Sequence, residues 1–254
     1  MSAVGPAPLG EDANIGINAQ GAGHRWRAAV AILVLAGAGL VLLSTTKYGA
    51  GISPDSVHYL DVARNLVSGN GFVSHTGNPL SAWPPLYPIL LALIGFATGL
   101  DPAAFAHVVN AVLFALVIYL SARLFRIAFR QNTTYSLLGV CAVLFSIPLT
   151  GIYPFALSDC VFIPLVLLYL IAAQRYWEQR RWLSLAVMTV STALACSTRY
   201  LGVALVPAGV VTIILAAGVN SRTRYARVFL RSSLDCASWT LGSAKSPTDR
   251  NAYG

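Results

Sequence analysis

Long apolar blocks alternate with short polar segments along most of this chain. Their positions predict helices over residues 26–44, 103–124, 135–150, 159–173, 182–196 and 201–219. A bilayer crossing needs about 20 predominantly apolar residues, so the shorter blocks must borrow flanking aromatic and small residues at their ends. A seventh apolar stretch, 84–100, opens with two prolines and contains Pro88. It reads either as a full span or as a re-entrant, interfacial helix.

The basic residues choose between these. With 84–100 not crossing, one side of the membrane holds Arg25, Arg27, Arg123, Arg126, Arg130, Arg175, Arg180, Arg181 and the basic residues from Arg222 to Arg250. Only Lys47, Arg64 and Arg199 remain on the other, a 14 to 3 split. The positive-inside rule then predicts six spans with both termini cytoplasmic. The expected organisation is a disordered cytoplasmic tail over 1–25, a transmembrane module over 26–219 and a polar cytoplasmic tail over 220–254. Arg25 and Arg27 before an apolar run also fit a secretory signal peptide. The long preceding tail and the lack of a clear A-x-A site favour an uncleaved helix.

Composition agrees with a lipid-embedded all-α fold. The chain is 56% apolar and 10% charged, with a mean hydropathy of +0.67, where soluble domains carry about 25% charged residues. The net charge of +8 is scattered between apolar blocks and builds no stripe for nucleic acid. Cys141, Cys160, Cys196 and Cys236 are far apart and contain no C-x-x-C pair, so neither a disulfide framework nor a zinc site is indicated.

This topology gathers Asp55, Asp61, Asp101, Asp159 and Arg199 on the non-cytoplasmic side. Ser53 is a good N-cap, Pro54 suits a first helical position and Gly69-Asn70-Gly71 is a stop, predicting a short helix over 55–67 with Tyr59, Val62, Ala63 and Leu66 on one face. Asp55 in its first turn complements the helix dipole. His58 fits a polar face, and Asp61 is spaced to pair with Arg64. Trp83-Pro84-Pro85 followed by Tyr87 suits an interfacial anchor. Asp159, at the edge of an apolar helix, needs water, a partner or a ligand, unless it serves as a cap. Arg199 suits an anionic headgroup or phosphate, or else snorkels to the interface.

The ordered set Pro54-Asp-Ser-Val-His-Tyr-Leu-Asp-Val-Ala-Arg-Asn-Leu66, Trp83-Pro-Pro-Leu-Tyr-Pro88, Leu157-Ser-Asp159 and Thr198-Arg-Tyr200 resembles the membrane-embedded GT-C glycosyltransferases that use polyprenyl-phosphate sugars. The bacterial protein mannosyltransferase and aminoarabinose transferase groups are the most similar. The resemblance covers roughly residues 28–219 and implies transfer of a sugar from a polyprenyl-phosphate donor to an acceptor on the extracytoplasmic side of the plasma membrane. It implies Asp55 as general base and Arg199 at the donor phosphate, with Asp159, Tyr59, His58 and Trp83 as substrate-binding neighbours. The chain departs from the pattern in three places. Ser56 follows Asp55 where the mannosyltransferases carry Glu. Trp83 stands where the aminoarabinose transferases have Glu-Lys, so no metal site is assigned, though the family leaves room for a divalent metal. Family members usually continue through further spans, so a truncated, inactive relative acting as a membrane scaffold is one alternative and a small transporter subunit another.

Overall fold

The computed structural model describes residues 11–74, 77, 83–216 and 218, with side chains from residue 23 onward. Residues 1–10 and 219–254, expected as tails except for Val219 at the end of a predicted span, lie outside the described residues. The described residues are all-helical with no strand, apart from isolated bridging such as that between Gly51 and Phe155. The elements are α1 (Glu11–Thr45), α2 (Pro54–Val67), α3 (Leu86–Thr98), α4 (Pro102–Ala128), α5 (Thr133–Leu144), α6 (Ile147–Ile152), α7 (Asp159–Gln179), α8 (Trp182–Cys196) and a 3-10 turn (Tyr200–Ala204). Residues 11–25 are helical rather than unstructured. Once the apolar run downstream is helical, extending it through a proline-free, alanine-containing segment costs little, because nucleation is already complete.

Four helical stretches are long and apolar enough to cross a membrane: Gly23–Thr45, Pro102–Ala128, Thr133–Ile152 and Asp159–Gln179. Their outward side chains, among them Ile32, Leu35, Leu43 and Ile147, are largely exposed, which suits a bilayer and not water. The chain is accordingly read as a membrane protein. The expected spans at 182–196 and 201–219 appear as shorter helices, α8 and Tyr200–Ala216. The described residues from Pro207 belong to a second unit and are helical at Pro207–Ala216.

Helix α4 is central to the first unit, packing against α1, α5 and α7, while α8 lies on α7. Val41, Phe114, Ile118, Val140, Leu144 and Tyr153 form the core between them. Gly37 lets α1 come close: a Cβ there would lie 2.1 Å from Ile118 Cδ1. The expected span 135–150 is interrupted between α5 and α6, because Pro148 has no N–H to continue the helix. Pro164 inside α7 likewise leaves the carbonyl of Cys160 without its usual i+4 donor. The fully buried Tyr153 hydroxyl donates to that carbonyl at 3.2 Å.

Helix α3 decides the fate of the seventh apolar stretch. It lies along α2, with a Cβ on Gly95 reaching within 3.0 Å of Val67, and its Tyr87 sits beside Asn110 of α4. Its 13 residues rise about 20 Å, short of the roughly 30 Å hydrocarbon core. Together α2, α3 and the first turns of α4 bury Tyr59, Leu60, Ala63, Tyr87, Leu91 and Phe105 in a second cluster at one end of the bundle.

Tyr153→Phe is expected to keep the packing and orphan the Cys160 carbonyl, lowering stability by about 1–3 kcal/mol. Unfolding in mild detergent measures this, and an unchanged midpoint would mean the carbonyl finds another donor.

Candidate functional site

The segment before α2 is pinned to the segment before α7. Gly51 N–H donates to the Pro154 carbonyl at 2.8 Å, and Ala156 N–H donates to the Gly51 carbonyl at 3.0 Å. Glycine is required here because a Cβ at residue 51 would meet the Phe155 ring at 2.7 Å. Ser53 then caps α2: its hydroxyl accepts from Ser56 N–H at 3.2 Å, and Ser56 Oγ accepts from Ser53 N–H at 3.0 Å. The side chain of Ser56 is therefore spent on a buried capping box. Asp55 is not the cap and stands exposed in the first turn, where its Oδ1 accepts from Trp83 Nε1–H at 3.3 Å. The His58 ring stacks on Trp83 with centroids 4.3 Å apart. His58 Nδ1 is buried with no hydrogen-bond partner.

One turn on, Tyr59 is buried and its hydroxyl donates to Ser158 Oγ at 3.1 Å. Its ring meets Tyr87 edge-on at 5.5 Å. Tyr87 is fully buried, not an interfacial anchor. Its hydroxyl donates to Asn110 Oδ1 at 3.2 Å, while Asn110 Nδ2 donates to the Phe155 carbonyl at 2.7 Å. That carbonyl can only accept, which fixes the orientation of the amide.

The remaining charges complete the cluster. Arg199 Nη1 donates to Asp159 Oδ1 in an ion pair, with Asp159 the more buried partner at 24% exposure against 41%. Asp159 is the first residue of α7, after Ser158 at the N-cap. Arg199 is placed by the turn after α8, where Gly202 lies against the Ala195 and Cys196 backbone. Ser197 accepts Leu86 N–H at 2.9 Å, bringing the start of α3 to the same place. Burial pushes the Tyr59 hydroxyl above its ordinary value; the Ser158 hydrogen bond opposes this, and the charges of Asp55, Arg199 and Asp159 all act on it.

The expected residues thus fall into two linked sets around Tyr59: Asp55, Trp83 and His58 on one side, Asp159 and Arg199 on the other. Arg64, expected to pair with Asp61, instead reaches Asp101 with Nε 3.0 Å from Oδ2. Asp101 also caps α4 by accepting from Ala103 N–H at 2.8 Å. Ser158 and Asn110 were not singled out from the sequence. For Asn110 a signal existed, since a lone amide within an apolar span needs a partner. Among the described residues no group of three His, Cys, Asp or Glu is placed to hold a metal ion.

Two outcomes follow. The double change Arg199→Gln, Asp159→Asn should destabilise less than the sum of the two single changes, because either single change already breaks the pair. A coupling of about 0.5–3 kcal/mol from a double-mutant cycle in detergent is expected, and additivity would deny the pair any energetic role. Partial burial works to raise Asp101, but Ala103 N–H and Arg64 outweigh it and hold the carboxyl below its ordinary value. A depressed carboxyl contributes stability that is present above its unfolded-state value of about 3.9 and lost as pH falls below it. Asp101→Asn, which retains capping ability, should flatten the fall in unfolding midpoint between pH 5 and pH 3; an unaltered fall would assign it to other groups. The chain matches no family model, no curated protein and no solved structure.

Proposed function

We propose that this chain is a GT-C-like glycosyltransferase of the plasma membrane, with six spans and both termini cytoplasmic. In this reading α2 and α3 lie on the extracytoplasmic side, and a sugar passes there from a polyprenyl-phosphate donor to an acceptor hydroxyl. The observation that carries it is the convergence of four sequence-distant segments, 53–59, 83–87, 153–159 and 197–202, on two carboxylates, Asp55 and Asp159, and one guanidinium around Tyr59. The α2–α3 packing supports keeping 84–100 out of the membrane-crossing set.

The acceptor oxygen attacks the anomeric carbon from the face opposite the phosphate. Its proton passes to the Asp55 carboxylate while the bond from the anomeric carbon to the phosphate oxygen breaks. The electron pair stays on the departing polyprenyl phosphate, so the configuration inverts and no covalent enzyme intermediate forms. The growing negative charge meets the Arg199 guanidinium, which Asp159 holds in place. One donor atom of Arg199 serves Asp159 and the planar fork carries others for the phosphate. Trp83 and His58, backed by the buried Tyr59, supply an aromatic wall beside Asp55 against which a sugar ring can rest.

The test is incorporation of labelled sugar from polyprenyl-phosphate donors in membranes containing the full chain. Asp55→Asn should lower transfer by about 100-fold or more while insertion is unchanged. Retained transfer would remove Asp55 from the base role, and no transfer by the inserted parent chain would turn the reading to the scaffold alternative.

A further inference from the structure

The end of the bundle away from Asp55 carries a second concentration of charge. Arg25 and Arg27 lie on α1 and Arg123, Arg126 and Arg130 at the end of α4; Arg175, Arg180 and Arg181 surround the α7–α8 joint. They share one end, because Arg126 lies over the Trp26 ring at 4.5 Å and because Arg130 lines a cleft with Gln174 and Glu178 of α7. Every cation in the group is arginine and none is lysine. Among the described residues the ion pairs are Arg64–Asp101 and Arg199–Asp159, and none of these arginines pairs with a described carboxylate. The nearby acid Glu178 is engaged by Gln174 Nε2 at 2.8 Å.

Several of the guanidinium groups are held by aromatic or polar neighbours that leave their charge uncompensated. Arg126 also donates to Gln131 Oε1 at 2.5 Å, Arg123 Nη1 donates to the Tyr119 hydroxyl at 3.4 Å, and Arg180 lies over the Tyr176 ring at 5.9 Å. Exposed Trp177 and Trp182 accompany them, a pairing suited to the headgroup layer. The cleft between the ends of α4 and α7, about 330 Å³, sets Leu124, Ile127 and Ala128 beside Arg130. It offers an apolar wall for an acyl chain next to a donor for a phosphate.

We propose that this arginine collar is a binding surface for anionic phospholipids, recognising the headgroup phosphodiester through the guanidinium fork and not through charge alone. A topology signal needs only positive charge, which lysine supplies equally. Bidentate recognition of phosphate is an arginine property. The inference rests on bilayer insertion and is independent of glycosyl transfer.

The experiment uses the full chain in mild detergent, titrated with phosphatidylglycerol, phosphatidylcholine or inorganic phosphate, with the unfolding temperature as readout. Phosphatidylglycerol should raise it, and the other two should leave it unchanged. The triple replacement Arg123→Lys, Arg126→Lys, Arg130→Lys should weaken the apparent affinity for phosphatidylglycerol about tenfold, and the corresponding triple Gln change more. The pair Arg175→Lys, Arg180→Lys, on the other helix, should act in the same direction. Equal shifts with phosphatidylcholine or with inorganic phosphate, or affinity within twofold of the parent in both lysine variants, would overturn the proposal.

Discussion

A single buried amide ties the site end of this fold together. Asn110, two turns into α4, accepts from Tyr87 of α3 and donates to the Phe155 carbonyl before α7. Phe155 packs against Gly51, whose backbone is bonded to Pro154 and Ala156. Through that bridge the start of α2 is set, and with it Asp55. An unpaired amide in an apolar helix costs several kcal/mol when nothing meets it. Tyr87 and Phe155 are thereby fixed relative to α4, and the short apolar helix α3 is held against α2 and the start of α4.

Charge is distributed along the bundle with the same economy of partners. At the site end the described acids are engaged by specific donors: Asp101 by Arg64 and an N-cap, Asp159 by Arg199, Asp55 by an indole N–H. At the other end guanidinium groups rest on rings and amides, and the acid Glu178 is engaged by Gln174. The two ends therefore differ in chemistry, one with carboxylates paired to placed donors, the other dominated by arginines.

Much of this was legible in the sequence, for identifiable reasons. The helix over 54–67 announces itself through Ser53, Pro54 and the Gly69-Asn70-Gly71 stop, and these signals act locally. The apolar blocks at 103–124 and 159–173 are long enough to read from hydropathy alone. Hydropathy did not reveal the break between α5 and α6, because Pro148 interrupts the backbone without changing the apolar character of the block. The partners of Arg64 and Tyr87 were also hidden: both lie across a helix contact, and spacing along one helix favoured Asp61 for Arg64. The helicity of 11–25 was missed because a segment without apolar period can still extend a helix nucleated beyond it. The grouping of the candidate site residues around Tyr59 depends on Ser158, a residue whose hydroxyl could equally have capped α7.

The difference between the two site carboxylates follows from what holds each of them. Asp159 faces a cation in a half-buried pair, and that pair holds Arg199 in place. Asp55 faces a neutral indole donor, stands exposed, and has no role in capping because Ser53 and Ser56 satisfy each other. Ser56 completes the cap and leaves Asp55 as the carboxylate of the helix's first turn. In the proposed transfer, that places proton acceptance on Asp55 and phosphate compensation on Arg199, the side chain Asp159 restrains. Tyr59, bonded to Ser158, ties α2 to the start of α7 between the two sets.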